Sequence, residues 1–182
     1  MTPLLIALVF AWGAAEAVAF FVVADVAITL ITAHKGFRAG FIATLWATGG
    51  ALLGGMVVYF WAAADPTTVA RMLDFVPAVS SGQIAAAKQE MSDDWIAATI
   101  FGGFSGDPYK LYAATAGEQG ISLLPFLAVS VGARFSRFLS TALLAQALTW
   151  TLKRVGRQQW ALPLIALVWI GFYAWYWTRM PG

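Results

Sequence analysis

Six ionisable side chains stand inside sequence that is otherwise apolar: Glu16 and Asp25, then Asp107 and Lys110, then Arg134 and Arg137. The two arginines are three residues apart, so on a helix they project from one face. Phe135 and Phe138 are expected on other faces, where they can meet lipid or neighbouring helices. Lys110 follows Asp107-Pro108, a pair that reads as a helix start, with Asp as N-cap and Pro at the first helical position. A first helical turn presents unpaired N–H groups and a partial positive charge. Two guanidinium groups, an ammonium and a helix N-terminus are together the chemistry that holds phosphate. Glu16 and Asp107 are the carboxylates available to balance them. Two readings follow: an ion network that ties segments together, with Asp107 acting only as a cap, or an anion site for a phosphate-bearing lipid head group. Asp25 lies close before Lys35 and reads as near a membrane interface.

Other chemistry has little to work with. The chain has no cysteine and a single histidine, His34, beside Lys35, so no metal and no cofactor are expected. No nucleophile–base set is visible, and an enzyme is not expected. A net charge of +2, dispersed along the chain, gives no footprint for nucleic acid.

The elements that must position these charges are membrane elements. Of 182 residues, 60% are hydrophobic and 11% charged, against roughly 25% charged in an ordinary soluble domain. Five stretches carry the apolar content: Pro3 to Ala33, Gly40 to Ala64, Trp95 to Gly117, Gly120 to Leu152 and Trp160 to Thr178. A span needs roughly 20 apolar residues. The start of the chain lacks the basic flank of a secretory signal and carries Glu16 where cleavage would fall, so it is expected to stay. Unpaired arginines at the middle of a span cost about 2.5–3.5 kcal/mol each, so Arg134 and Arg137 are expected to face protein or water.

Lys35 and Arg38 flank the first polar junction, and Lys153, Arg154 and Arg157 the last. Between them, residues 65–94 hold two basic residues against five acidic ones. The positive-inside rule then puts the first and last junctions in the cytoplasm and 65–94 outside. Gly40 to Ala64 runs outward and Gly120 to Leu152 inward, so Trp95 to Gly117 must enter and leave by one face. That requires two half-helices with a turn at membrane depth: Gly102 and Gly103 near the end of the first, Ser105-Gly106 in the turn, Asp107-Pro108 opening the second. Pro3 to Ala33 is longer than one span and reads as a matching hairpin from the cytoplasmic side, with a simple span as the alternative. The expected fold is an all-α polytopic membrane protein of two inverted repeats, each a re-entrant hairpin plus a transmembrane helix, with a further C-terminal transmembrane helix. Asp65-Pro66, followed by Val69, Met72, Leu73 and Val76 at helical spacing, predicts a surface amphipathic helix.

"DPYKLYAATAG" followed by "LLPFLAVSVGARFSRF" resembles a block of the DedA-like, SNARE-associated (VTT-domain) membrane proteins, especially the YqaA-like branch. "GGALLGGMVVYF" resembles the glycine-rich helix of that family, and Glu16 its acidic first hairpin. The resemblance covers roughly Glu16 to Leu144. It departs at "AWGAA", where the family has Pro-Gly before the glutamate, and at Lys110 with Ser105 upstream, where the DedA branch has a two-arginine block. It implies two opposed re-entrant hairpins and transport or scrambling of lipids in a bacterial cytoplasmic membrane. Polyprenyl phosphate is one implied lipid partner. Glu16, Lys110, Arg134 and Arg137 are the implied site residues, beside Asp107 from the reading of the charges. The alternative is an accessory subunit that packs against a larger membrane complex or a second copy, through the aromatic segment "WIGFYAWYW".

Overall fold

The computed structural model describes residues 1–77 and 79–179, and among these every regular element is helical. The order is α1 (Pro3–Val18), α2 (Asp25–Lys35), α3 (Phe37–Ala64), α4 (Pro66–Phe75), α5 (Ser81–Ser105), α6 (Tyr109–Glu118), α7 (Leu123–Arg154), a 3-10 turn at Gln158–Trp160, and α8 (Ala161–Arg179). Three segments are long and apolar enough to cross a membrane: Phe37–Ala64, Leu123–Arg154 and Gln158–Thr178. The chain is thus all-helical, with the make-up of a membrane protein.

α3 is the axis on which the rest is laid. Its buried face is built almost wholly of Gly, Ala and Thr, the small residues that let helices approach closely where apolar burial alone gives no preference. A Cβ on Gly50 would fall 2.0 Å from the carbonyl oxygen of Phe10, so α1 lies backbone against backbone on this face. The contacts Gly13 with Ala47 and Ala17 with Gly54 run α1 in the same sense as α3. α7 runs the opposite way, with the Thr44 hydroxyl 3.5 Å from the Phe138 carbonyl and Tyr59 stacked on Phe126.

Two helix–turn–helix units flank this axis. In the first, α1 reverses through residues 19–24 into α2, and Gly36 then turns the chain into α3. In the second, the chain reverses twice. Ser80 and Gln83 form a capping box at the start of α5. At Asp94 the backbone leaves the helix (φ −154°, ψ 92°), and the Asp94 carboxylate accepts from the N–H groups of Ile96 and Ala97 at 3.0 Å. The two halves of α5 fold back on each other, with the Thr99 hydroxyl 3.7 Å from the Met91 sulfur. The chain reverses again at Gly106, where φ is +100°. That is the left-handed region open to glycine without a Cβ penalty.

Two expectations are corrected here. Asp65 does cap α4, accepting from the Thr68 N–H at 3.0 Å with Pro66 in the first turn. Hydrogen bonds from Thr68 and Thr67 hold its carboxyl below the usual range. Asp107 does not cap α6. Pro108 is in an extended conformation (φ −66°, ψ 132°) and is itself the N-cap, which leaves Asp107 one residue too early to reach the helix N–H groups. Its carboxylate turns instead to the Ser105 hydroxyl at 2.6 Å and the Gln83 amide at 3.3 Å. Phe138, expected on a helix face other than that of the arginines, is fully buried. It stands four residues after Arg134, hence on the same helix face, beneath the Arg134 guanidinium at 4.5 Å.

Candidate anion-binding cavity

The turns of the two helix–turn–helix units meet beside α3, where Gly54 touches Ala17 and Gly55 touches Tyr109. A direct bond joins them: Lys110 donates from Nζ to the Phe20 carbonyl at 3.1 Å. The first turn is fixed from three further directions. Trp12 donates its indole N–H to the Val22 carbonyl at 2.8 Å. The Val23 N–H donates to the Tyr173 hydroxyl at 2.9 Å, and the Ala24 N–H to Glu16 Oε2 at 2.7 Å. Glu16 therefore serves the start of α2, a helix whose first N–H groups have no partner within the helix.

Between the two turns, the middle of α7 and the inner face of α8 lies a cavity of about 480 Å³. Glu16, Asp25, Asp107, Lys110 and Arg137 all reach its wall, and Trp169, Phe172, Tyr173 and Tyr176 of α8 form its aromatic side. Of the five residues expected in a site, Glu16, Asp107, Lys110 and Arg137 thus come together on one cavity. Arg134 stands behind them and does not line it. Its side chain is 1% exposed, bonded through Nη2 to Glu16 Oε1, and held between the rings of Tyr109 at 5.2 Å and Phe138 at 4.5 Å. That is a structural setting: a desolvated guanidinium neutralised by one carboxylate and two aromatic faces.

Asp25 is not at an interface. It is 1% exposed, receives Arg137 Nη2 at 3.1 Å on one carboxylate oxygen and the Thr141 hydroxyl at 3.0 Å on the other. Charge arithmetic is the sequence signal for it, since two guanidiniums inside one apolar span call for two carboxylates and the N-terminal stretch supplies a second. The inner face of α8 carried no such signal. Its Trp169 donates to the Thr29 hydroxyl at 2.9 Å, yet its composition is that of any lipid-facing helix.

The pairings leave two ions over, Lys110 and Asp107, of which Asp107 is met by neutral donors. Glu16 is neutralised by Arg134 and Asp25 by Arg137. Among the described residues, Lys110 forms no ion pair, and one carbonyl accepts from it although the residue is only 2% exposed. An ammonium has three donors, so a buried cation with unspent hydrogen-bonding capacity faces the cavity, whose wall Arg137 also lines. Chemically this favours an anion with several acceptor oxygens attached to an apolar body, since the rest of the wall is largely aromatic and aliphatic. Comparison with known protein families, with curated proteins and with solved structures gives no match to this chain.

Proposed function

We propose that the protein binds and moves a membrane lipid with an anionic, phosphate-bearing head group, the head group resting on Lys110 and Arg137 between two opposed re-entrant hairpins. In this reading α1–α2 and the second half of α5 with α6 are the hairpins, α3 and α7 their transmembrane partners in an inverted repeat, and α8 a further span. The observation that carries it is Lys110, a buried ammonium without a carboxylate partner on the wall of a cavity large enough for a head group. Burying such a charge is costly unless something pairs with it, and a lipid phosphate arriving from the bilayer supplies both the counter-charge and the missing acceptors. Arg134 holds Glu16 in place from behind, and Glu16 in turn shapes the first turn. The resemblance to DedA-like proteins points the same way, toward lipid transport in a bacterial inner membrane, with lipid phosphates as the substrate class.

The test is lipid movement in vesicles that contain the purified protein. Fluorescently labelled phosphatidic acid and phosphatidylcholine are each followed for transfer between leaflets. The unmodified protein should accelerate the acidic lipid, and Lys110→Gln should reduce that acceleration by at least about ten-fold, the worth of one charge-assisted hydrogen bond, with little effect on the neutral lipid. Equal rates with and without protein would remove the transport reading and favour a packing subunit of a larger membrane assembly.

A further inference from the structure

Tyr112 of α6 is buried, its ring seated over Gly102 of α5. Its hydroxyl stands between two carboxylates, 3.1 Å from Glu90 Oε2 and 3.5 Å from Asp107 Oδ2. A phenol has one proton to give and otherwise only lone pairs. Two ionised carboxylates on one hydroxyl therefore leave one of them facing a lone pair. A proton on either acid resolves the conflict, because that acid then donates to the phenol oxygen while the phenol donates to the other acid.

The two carboxylates open onto different spaces. Asp107 lines the 480 Å³ cavity that holds Lys110. Glu90 lines a separate, open recess of about 320 Å³ together with Asp93 and Asp94. Tyr112 is the hydrogen-bonded link from Glu90 to Asp107, beside the Ser105 hydroxyl, which also lines the recess and lies 2.6 Å from Asp107 Oδ2 but makes no bond to Glu90 among the described residues. Asp107 also differs from its neighbours in the cavity. The ionisable groups around that cavity are Glu16 and Asp25 from the first turn, Tyr109 and Lys110 from α6, Arg137 from α7, and Tyr173 and Tyr176 from α8, with Glu90 reaching Asp107 from α5 through Tyr112. Neither α3 nor α4 contributes one. Glu16 and Asp25 each have an arginine, whereas Asp107 has only the neutral donors of Ser105, Gln83 and Tyr112 and, among the described residues, no ion pair.

We propose that Glu90, Tyr112 and Asp107 form a proton-exchange path that sets the charge of the cavity from the side of the acidic recess. In the forward step the O–H bond of protonated Glu90 breaks as its proton passes to the Tyr112 oxygen. The phenol's own proton passes to Asp107 Oδ2, so the phenol ends with one proton, as it began. Glu90 then takes its next proton from water. Protonated Asp107 removes a negative charge from the wall that carries Lys110, which favours entry of an anion; loss of that proton restores the repulsion and favours release. This consequence rests on the anion-binding reading, whereas the path itself does not.

The experiment uses the full chain in vesicles of phosphatidylcholine alone, with no acidic lipid, so that its outcome is independent of lipid transport. A rapid drop from about pH 7 to about pH 3, which crosses the ordinary carboxyl values near about 4, is followed by time-resolved infrared absorption of the protonated carboxyl group. The band assigned to Asp107 is the one lost in Asp107→Asn. Tyr112→Phe keeps the ring over Gly102 but removes the oxygen, and should slow the rise of that band by at least about ten-fold at unchanged final amplitude. Glu90→Gln should slow it as well, and serves alone if the amide bands show Tyr112→Phe to be misfolded. The absence of any band that Asp107→Asn removes, or an unchanged rate in the phenylalanine and glutamine variants, would overturn the path.

Discussion

At the scale of single residues, the cations at the centre of the molecule divide by what they are paired with. Arg134 and Glu16 neutralise each other in a fully desolvated setting, so removing one partner strands the other charge. Glu16→Gln is expected to lower stability by roughly 3–5 kcal/mol, and Glu16→Gln combined with Arg134→Met by clearly less than the sum of the two single changes. Lys110→Gln should be close to neutral or stabilising, because it removes a buried charge that has no counter-ion. Denaturant unfolding in detergent micelles, read by tryptophan fluorescence, measures all four proteins. A Lys110→Gln variant as damaged as Glu16→Gln would mean that Lys110 is held as tightly as the paired ions. The types and positions of these charges are legible in the sequence, because an ionisable residue inside an apolar span has few ways to survive. Their pairing is not: which carboxylate meets which arginine depends on how α2 and α7 lie across α3, and sequence separations of 118 and 112 residues carry no register.

At the scale of elements, local signals fix helices well and fail where two segments must share a turn. Apolar runs and the polar junctions between them place α3, α7 and α8 close to their observed bounds, since span length and charge exclusion act on the sequence directly. Asp-Pro illustrates the failure. The same dipeptide caps α4 through Asp65 but not α6, where Gly106 turns the chain and Asp107 is drawn to Ser105 and Gln83 of α5. The break at Asp94, by contrast, falls where the polar stretch 65–94 meets the apolar stretch opening at Trp95, and Asp94 caps the second half locally. Close helix approach makes a sharper prediction. Gly50→Ala places a methyl group 2.0 Å from the Phe10 carbonyl oxygen, which α1 can relieve only by moving off α3, at a cost of about 1–3 kcal/mol. Gly132→Ala on α7 has nothing within 4 Å of the new Cβ and should be neutral or gain up to about 1 kcal/mol from helix propensity. Thermal unfolding of the two variants side by side separates packing from propensity; equal effects would show that α1 and α3 do not depend on their backbone contact.

At the scale of the molecule, the arrangement of helices fixes which junctions share an end. α3 and α7 are antiparallel, with Thr44 early in α3 against Phe138 at the middle of α7, and Tyr59 late in α3 against Phe126 in the first turn of α7. The start of α3, with Lys35 just before it and Arg38 in its first turn, therefore lies at the same end as Lys153 and Arg154, which close α7. Lys88 lies at the opposite end, beside Glu118 at the close of α6, where Gly117 meets Tyr59. Charge alone predicts the same division, with the arginine- and lysine-rich end inside. α3, at 28 residues, is about 42 Å long, enough to hold the two ends on opposite sides of a bilayer. The chain has no native cysteine, so single cysteines report position without a prior background. Lys35→Cys and Lys153→Cys should be protected from an external membrane-impermeant maleimide in intact cells and become reactive on permeabilisation, whereas Lys88→Cys should react in both. Gly182 is expected on the side of Lys88 but lies outside the described residues. Replacing Lys88 removes a solvent-exposed pair with Glu118 at 2.8 Å, worth roughly 1 kcal/mol at most, so the protein should insert normally. External labelling at both Lys35 and Lys153 would invert the orientation while keeping the fold. Labelling at only one of them would break the shared end, and with it the reading of α3 and α7 as the spans of an inverted repeat.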